Sequence, residues 1–145
     1  MNICNGYTVT ELLPHTGQMV LVDEVLSYDQ GRLCAALTVR GDGLLFGDNQ
    51  TVPAWVGIEY MAQTIGVYAG VQAKQSDQPI RLGFLLGTRH YQSNVPSFKV
   101  GSRLRVDVEK ILQDEQLAVF ECRISGENIE ITAMLNVYQP PVHYE

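Results

Sequence analysis

Cysteines and charged residues are scarce in this sequence. Cys4, Cys34 and Cys122 are its three cysteines, and charged residues occupy 18% of the 145 positions. An odd number of widely separated cysteines indicates reduced thiols, so neither a disulfide framework nor a zinc site is expected. The N-terminus has no basic cluster followed by an apolar run. A targeting segment is therefore not expected either, and we predict a cytoplasmic location.

Basic residues are also in the minority. Ten lysines and arginines against sixteen acidic residues give a net charge of −6, which argues against general nucleic-acid binding. Between positions 80 and 106, however, no acidic residue occurs, and half of the basic side chains fall there: Arg81, Arg89, Lys99, Arg103 and Arg105. They are either solvated strand and loop positions or a docking patch for an anionic cofactor arm or an acidic carrier protein.

Familiar catalytic signatures are missing as well. The sequence has no serine nucleophile elbow, no glycine-rich phosphate loop and no Cys/His metal spacing. It also has no internal repeat and no low-complexity segment. With 46% apolar residues, the chain suits one globular domain spanning residues 1–145.

The sequence contains signals for several short secondary-structure elements. Thr8-Val9-Thr10-Glu11 matches a capping box and predicts a short helix from about Val9 to Leu13. Residues 19–28 and 32–40 are predicted as a hairpin around a turn at 29–31. Four further strands are predicted at 80–87 and in the alternating segments around 104–109, 118–124 and 129–137.

Residues 54–73 predict a long helix with Pro53 in its first turn. Apolar residues fall on every face and Glu59 is the one charge, a pattern typical of a helix buried all round. A membrane span is the competing interpretation, but three glycines and two glutamines argue against it. Together the elements predict an α+β domain whose antiparallel sheet curls over this helix. Because open sheet edges are usually covered, we expect a dimer through an edge.

Glu59 is the first candidate for chemistry. Burying a carboxylate without partners costs several kcal/mol, so a functional use is expected; the alternative is a carboxylate satisfied at a dimer interface or in a water pocket. Residues 53–56, at the helix start, offer backbone N–H groups and the positive end of the helix dipole. A thioester carbonyl could be held there while Glu59 acts as acid, base or nucleophile.

The three histidines are weaker candidates. His15 lies between the first predicted helix and the first predicted strand, and a lone histidine of this kind is more often structural than catalytic. His90 lies in the basic stretch and could titrate or contact phosphate. His143 is in the C-terminal tail and is expected to be inert.

Several motifs resemble the 3-hydroxyacyl-acyl carrier protein dehydratases. They are Leu13-Pro14-His15, the segments 19–25 and 53–63 with Glu59-Tyr60-Met61-Ala62-Gln63, Gly83-Phe84-Leu85-Leu86-Gly87, and Val100-Gly101. The similarity is greatest to the ApeP-like branch associated with aryl-polyene biosynthesis. It implies the hotdog fold, in which a curved antiparallel sheet wraps one long central helix.

The resemblance also implies a catalytic pair of which one half is missing. The helix glutamate of the family corresponds to Glu59, whereas the histidine of its Gly-His-Phe-Pro loop falls near Leu45, which cannot exchange a proton. The family's Pro-Gly at the helix start is Pro53-Ala54 here. His15 or Asp48 could supply the second group, as could a partner subunit, unless the reaction is a different one.

From this resemblance we expect a dehydratase-like protein that converts 3-hydroxyacyl thioesters on acyl carrier protein, or on CoA, to 2-enoyl thioesters in fatty-acid or polyene biosynthesis. Glu59 would be catalytic with His15 assisting, and the expected substrate-binding residues are Ala54, Trp55, Gln63, Phe84, Gly87, Arg89 and His90. A hotdog thioesterase and a non-catalytic acyl-binding subunit are the alternatives. No metal or cofactor is expected beyond the phosphopantetheine arm or CoA of the substrate. A homodimer or dimer-based oligomer is expected, with a second hotdog subunit as a further option.

Overall fold

A computed structural model describes residues 3–4, 7–12, 20–41, 50–79 and 83–140 of the chain. Its first elements are β1 (Ile3–Cys4), β2 (Tyr7–Thr8), α1 (Val9–Leu12), β3 (Glu24–Asp29), β4 (Arg32–Thr38) and β5 (Thr51–Pro53). A 3₁₀ turn at Ala54–Val56 leads into the long helix α2 (Gly57–Gln75). The remaining strands are β6 (Phe84–Ser93), β7 (Ser97–Lys99), β8 (Arg103–Asp114), β9 (Leu117–Gly126) and β10 (Ile129–Tyr138).

Among the described residues, six strands form the main sheet, in the order β3-β4-β8-β9-β10-β6, and every neighbouring pair is antiparallel. Inward side chains alternate with exposed ones, as at Leu104, Val106 and Val108 on β8. The period of two buries one face of the sheet against α2 and leaves the other to solvent. The predicted α+β arrangement of a curved sheet around one long helix is confirmed.

Several strand boundaries differ from prediction. Residues 20–23 are not in β3, which begins at Glu24. β6 continues to Ser93, beyond the predicted end at residue 87, because a bulge with His90 at φ 55° lets the pairing with β10 resume. The short strands β5 and β7 were not predicted, since three residues each carry too little alternation to be recognised. Their pairing sets Val52 opposite Phe98 next to the start of α2.

Helix α2 has two different faces. Tyr60, Met61, Thr64, Val67 and Tyr68 are buried in the core. On the opposite side a stripe of half-buried residues recurs at helical spacing: Ile58, Glu59, Ala62, Gly66, Ala69 and Ala73. The prediction that this helix is buried all round is therefore wrong along the stripe. Apolar and small residues occur on both faces, so composition alone could not separate a core face from an open one.

Two glycines let other elements approach α2 closely. A Cβ at Gly57 would lie 2.5 Å from the hydroxyl of Tyr91, and a Cβ at Gly70 would overlap the backbone of Leu12 in α1. Glycine at these two positions is therefore what allows the close packing. Within the described residues, no helix is long and apolar enough to cross a membrane.

Candidate active site

A cavity of about 440 Å³ lies between the half-buried stripe of α2 and the sheet. The helix contributes small residues to its wall, Ala62, Gly66 and Ala69, while the sheet contributes larger apolar groups such as Phe84 and Phe120. Because small residues on a helix leave a groove along its axis, the cavity is elongated in the direction of α2. An apolar groove of this shape suits an acyl chain.

Glu59 lines this cavity and is the helix residue nearest the N-terminus to do so. Its side chain is half-buried and not fully enclosed as predicted, because the cavity leaves that side of the helix open. The Nε2 group of Gln63 donates a hydrogen bond to Oε1 of Glu59 at 3.1 Å. The Oε1 atom of Gln63 in turn accepts the backbone N–H of Leu21 at 2.8 Å. Gln63 is 2% exposed, so a buried amide fixes the direction of the carboxylate.

The start of α2 is held by contacts with neighbouring strands. The N–H of Ala54 donates to the carbonyl of Pro96 at 3.0 Å, and the hydroxyl of Tyr91 donates to the carbonyl of Ala54. Burial, with a smaller contribution from Tyr60, raises the pKa of Tyr91 to about 12, so this hydroxyl stays protonated and can donate. The Ala54 N–H is already used within the chain, which corrects the expectation that the N–H of this residue could meet a substrate carbonyl.

The other predicted site residues divide into two groups. Gln63 and Phe84 line the cavity together with Glu59. Trp55 is 51% exposed at the helix start, and Gly87, Arg89 and His90 lie on strand β6; none of these is part of the described cavity wall. His15, His143, Leu45 and Asp48 lie outside the described residues.

Two of the five basic side chains of the predicted patch are paired with acidic residues. Arg103 forms an ion pair with Glu24, and Arg105 pairs with Asp107 at 3.2 Å on the same strand. Both arginines face the solvent side of the sheet, where the acidic partners offset their charge. Arg81 lies outside the described residues. Of the described members, Arg89 and Lys99 are the ones left for a docking patch.

Sequence reasoning missed most of the cavity wall. Ala62, Gly66 and Ala69 recur at spacings of four and three on the helix that carries Glu59, and this pattern of small residues was a signal that could have located the groove. Lys110 and Gln113 also line it. They reach it from the β8–β9 hairpin, far away in sequence, so no local pattern could have placed them there.

Comparison with known proteins decides the family. A family model of ApeP-like proteins, described as ApeP dehydratase, matches residues 7–145. The chain belongs to the ApeP-like dehydratases. Among solved structures, a chain of the dehydratase heterocomplex ApeI:P from Xenorhabdus doucetiae is 37% identical, with 93% of this chain and 92% of that chain covered and a TM-score of 0.84. A comparison with curated proteins gives no match.

More distant structures share the fold of this ApeP-like chain. A hypothetical thioesterase with coenzyme A from Streptococcus pneumoniae is 13% identical with a TM-score of 0.60, covering 83% of this chain and 88% of that one. The PaaI protein of E. coli is 14% identical with a TM-score of 0.60, covering 83% of this chain and 80% of that one. At such identities the likeness supports the hotdog fold alone. The family match confirms a dehydratase-like role and does not favour the thioesterase alternative.

Proposed function

We propose that this chain acts on 3-hydroxyacyl groups carried as thioesters by acyl carrier protein in aryl-polyene biosynthesis, and that the product is the 2-enoyl thioester. The acyl chain would lie in the groove along α2, with the thioester near Glu59. One observation among the described residues supports this proposal most directly. The Glu59 carboxylate lines an apolar cavity, and the buried Gln63 side chain fixes the direction of that carboxylate. The reduced thiols Cys34 and Cys122 suit a cytoplasmic reaction.

Dehydration needs a base that removes the proton from C2 and an acid that protonates the leaving hydroxyl. We assign the first role to the Glu59 carboxylate, because Gln63 already donates to its Oε1 atom and the residue lines the acyl groove. The second role is assigned to His15, as the sequence suggests, with a group from a partner subunit as the alternative that experiment separates. Gln63 acts as a positioning residue in this scheme.

We also propose that the chain works in a complex with a second hotdog subunit. The related structure is described as a heterocomplex of ApeI and ApeP. In the described part of this chain β6 is an edge of the main sheet, and Phe84 and Leu86 on it are 48% and 60% exposed. An edge strand that carries large apolar side chains calls for a covering partner. Such a partner would also cover the half-buried stripe of α2.

The test uses 3-hydroxyacyl groups on acyl carrier protein, offered to the purified chain alone and together with its partner subunit. Formation of the enoyl thioester, which is lighter by one water, is followed by mass spectrometry. We expect Glu59→Gln to lower the rate by about 10²–10⁴-fold, because the amide cannot accept the C2 proton. Glu121→Gln is the matched control, since Glu121 is an exposed carboxylate on β9 and should leave the rate unchanged.

The outcomes separate the possible roles. A loss with His15→Gln in the chain alone assigns the second proton transfer to this residue, whereas unchanged turnover directs that role to the partner. If enoyl product forms only with the partner and is insensitive to Glu59→Gln, the chain is a non-catalytic subunit and the proposal for Glu59 is wrong. Release of free acid in place of enoyl product would indicate hydrolysis.

A further inference from the structure

Strand β6 carries one residue more than its pairing with β10 requires. Between Arg89 and Gln92 this pairing shifts by one residue. His90 and Tyr91 therefore stand together opposite the single residue Ala133. His90 takes up the extra length with φ 55°, a left-handed conformation that is uncommon for residues other than glycine. A bulge of this kind can change the direction of a neighbouring side chain.

The bulge turns Tyr91 toward the core. Arg89 is exposed, and strict alternation along the strand would direct Tyr91 to the same outer face. Because of the added residue, Gln92 takes that outer position and is exposed. Tyr91 instead packs against the hydrophobic core, and its hydroxyl reaches the start of α2.

The hydroxyl of Tyr91 contacts the helix start at a residue that is held from both sides. It donates to the carbonyl of Ala54, which also accepts a backbone N–H where the 3₁₀ turn meets α2. The N–H of Ala54 donates to the carbonyl of Pro96 at 3.0 Å. Since each peptide is planar, the peptides before and after Ala54 are both fixed. A Cβ at Gly57 would lie 2.5 Å from the Tyr91 hydroxyl, so glycine makes room for this contact.

The same helix start lies close to the candidate catalytic carboxylate. Glu59 follows Ala54 by five residues, which corresponds to about 8 Å along the helical axis. A helix start offers the positive end of the helix dipole to a polarised carbonyl oxygen. A carbonyl held there and a proton removed by Glu59 belong to one substrate, so the two groups must keep a defined geometry.

We propose that Tyr91 is a positioning residue for the dehydration, and that the bulge at His90 aims its hydroxyl at the helix start. The contact with Ala54 holds this start in the orientation at which a thioester carbonyl is bound beside Glu59. This inference rests on the proposed function, because it takes the thioester to lie at this end of the groove. It requires neither a contact between Tyr91 and the substrate nor a proton transfer by the phenol.

The test measures kcat and KM for 3-hydroxyacyl groups on acyl carrier protein, with the chain and its partner subunit together. Tyr91→Phe keeps the ring and removes the hydroxyl. We expect kcat to fall about tenfold, because a misplaced substrate reacts slowly. KM should change by less than about twofold, because the acyl groove stays intact. Tyr28→Phe is the matched control, since it removes the hydroxyl of another half-buried tyrosine, on β3, and should leave both constants unchanged.

Two further measurements separate positioning from other roles of Tyr91. Urea unfolding of Tyr91→Phe reports a structural role: a weaker fold with unchanged kcat would overturn the inference and leave the proposed function standing. The pH profile of kcat should keep its shape in this variant, and a changed profile would show that the phenol itself exchanges a proton. If the unmodified complex forms no enoyl product, or if Glu59→Gln does not lower its formation, the proposed function is wrong.

His90→Val tests the bulge and leaves the tyrosine in place. A β-branched residue strongly disfavours φ near 55°, so kcat should fall as in Tyr91→Phe. In the double variant kcat should fall no further than in Tyr91→Phe alone, because His90 acts through Tyr91. An unchanged kcat in His90→Val, or losses that multiply in the double variant, would overturn the role of the bulge.

Discussion

The two faces of helix α2 carry side chains of different size and have different roles. The core face presents Tyr60, Met61 and Tyr68, all 3% exposed or less, and Tyr60 and Tyr68 make ring contacts with Phe98 and Phe120. The opposite stripe presents Glu59, Ala62, Gly66 and Ala69, all half-buried. Large groups that fill space stabilise the fold, whereas small groups that leave space line the groove that we propose for the acyl chain.

The two faces also differ in where the neighbours of their side chains come from. On the core face each side chain has neighbours within the same chain, so the free energy of unfolding depends on it. Along the stripe, the described part of the chain leaves burial incomplete, and we propose that a substrate or a second subunit completes it. Substitutions on the two faces should therefore separate stability from binding.

Met61→Ala should have the largest effect on stability. Met61 is fully buried, and truncating such a side chain leaves a cavity, which we expect to lower the free energy of unfolding by about 2–5 kcal/mol. Urea unfolding followed by circular dichroism measures the loss. Ile58→Ala on the half-buried stripe is the control and should cost clearly less. Equal losses at both positions would remove the distinction between the faces.

Ala69→Leu should have the opposite profile. The added atoms would point into the groove without displacing core side chains, so the free energy of unfolding should change by no more than about 0.5 kcal/mol. The probes are acyl pantetheines in which an amide replaces the thioester, so that they bind without reacting. Probes with a long acyl chain should bind about tenfold more weakly, a loss of about 1.4 kcal/mol. Probes whose acyl chain ends before Ala69 should keep their affinity. Titration calorimetry with both chain lengths measures this difference.

Ala73→Leu gives a matched control for that experiment. Ala73 is half-buried on the same stripe but does not belong to the described cavity wall. It should leave the binding of both chain lengths unchanged. A similar loss of affinity with Ala73→Leu would mean that the stripe as a whole, and not the groove, controls binding.

The sequence predicted most of the fold for a physical reason. Alternation along β8, β9 and β10 reports directly on which side chains face the core, as at Cys122, Ile124 and Ile131, so these strands were placed correctly. The helix was located equally well, since an apolar run of this length is too long for a single strand. The course of β6 was predicted less well, because the bulge at His90 depends on pairing with β10 and leaves no local pattern.

The candidate site was only partly predictable. Glu59 and Gln63 share one helix at a spacing of four, so their contact could be anticipated from sequence. The anchor of Gln63 at Leu21 and the arrival of Lys110 at the cavity depend on how distant strands curl around α2. Tertiary contacts of this kind have no counterpart in sequence spacing, and they are what turns a lone carboxylate into an oriented one.

The last and smallest expected effect concerns pH and again separates the faces. Burial, with a smaller contribution from Asp23 and an opposing one from Arg40, raises the pKa of Tyr60 from 10.0 to about 12. The folded state therefore keeps this proton at a pH where the unfolded chain has lost it. The stabilisation is complete below about pH 10 and is lost as pH rises toward 12, so the free energy of unfolding should fall across that range.

Tyr60→Phe should make this fall in the free energy of unfolding shallower without removing it, because burial also raises the pKa values of Tyr91 and Cys122 to about 12. Urea unfolding, repeated at intervals of about one pH unit between about pH 8 and about pH 12, measures how the free energy of unfolding changes with pH. If this pH dependence is unchanged in Tyr60→Phe, the core face does not hold the phenol out of water.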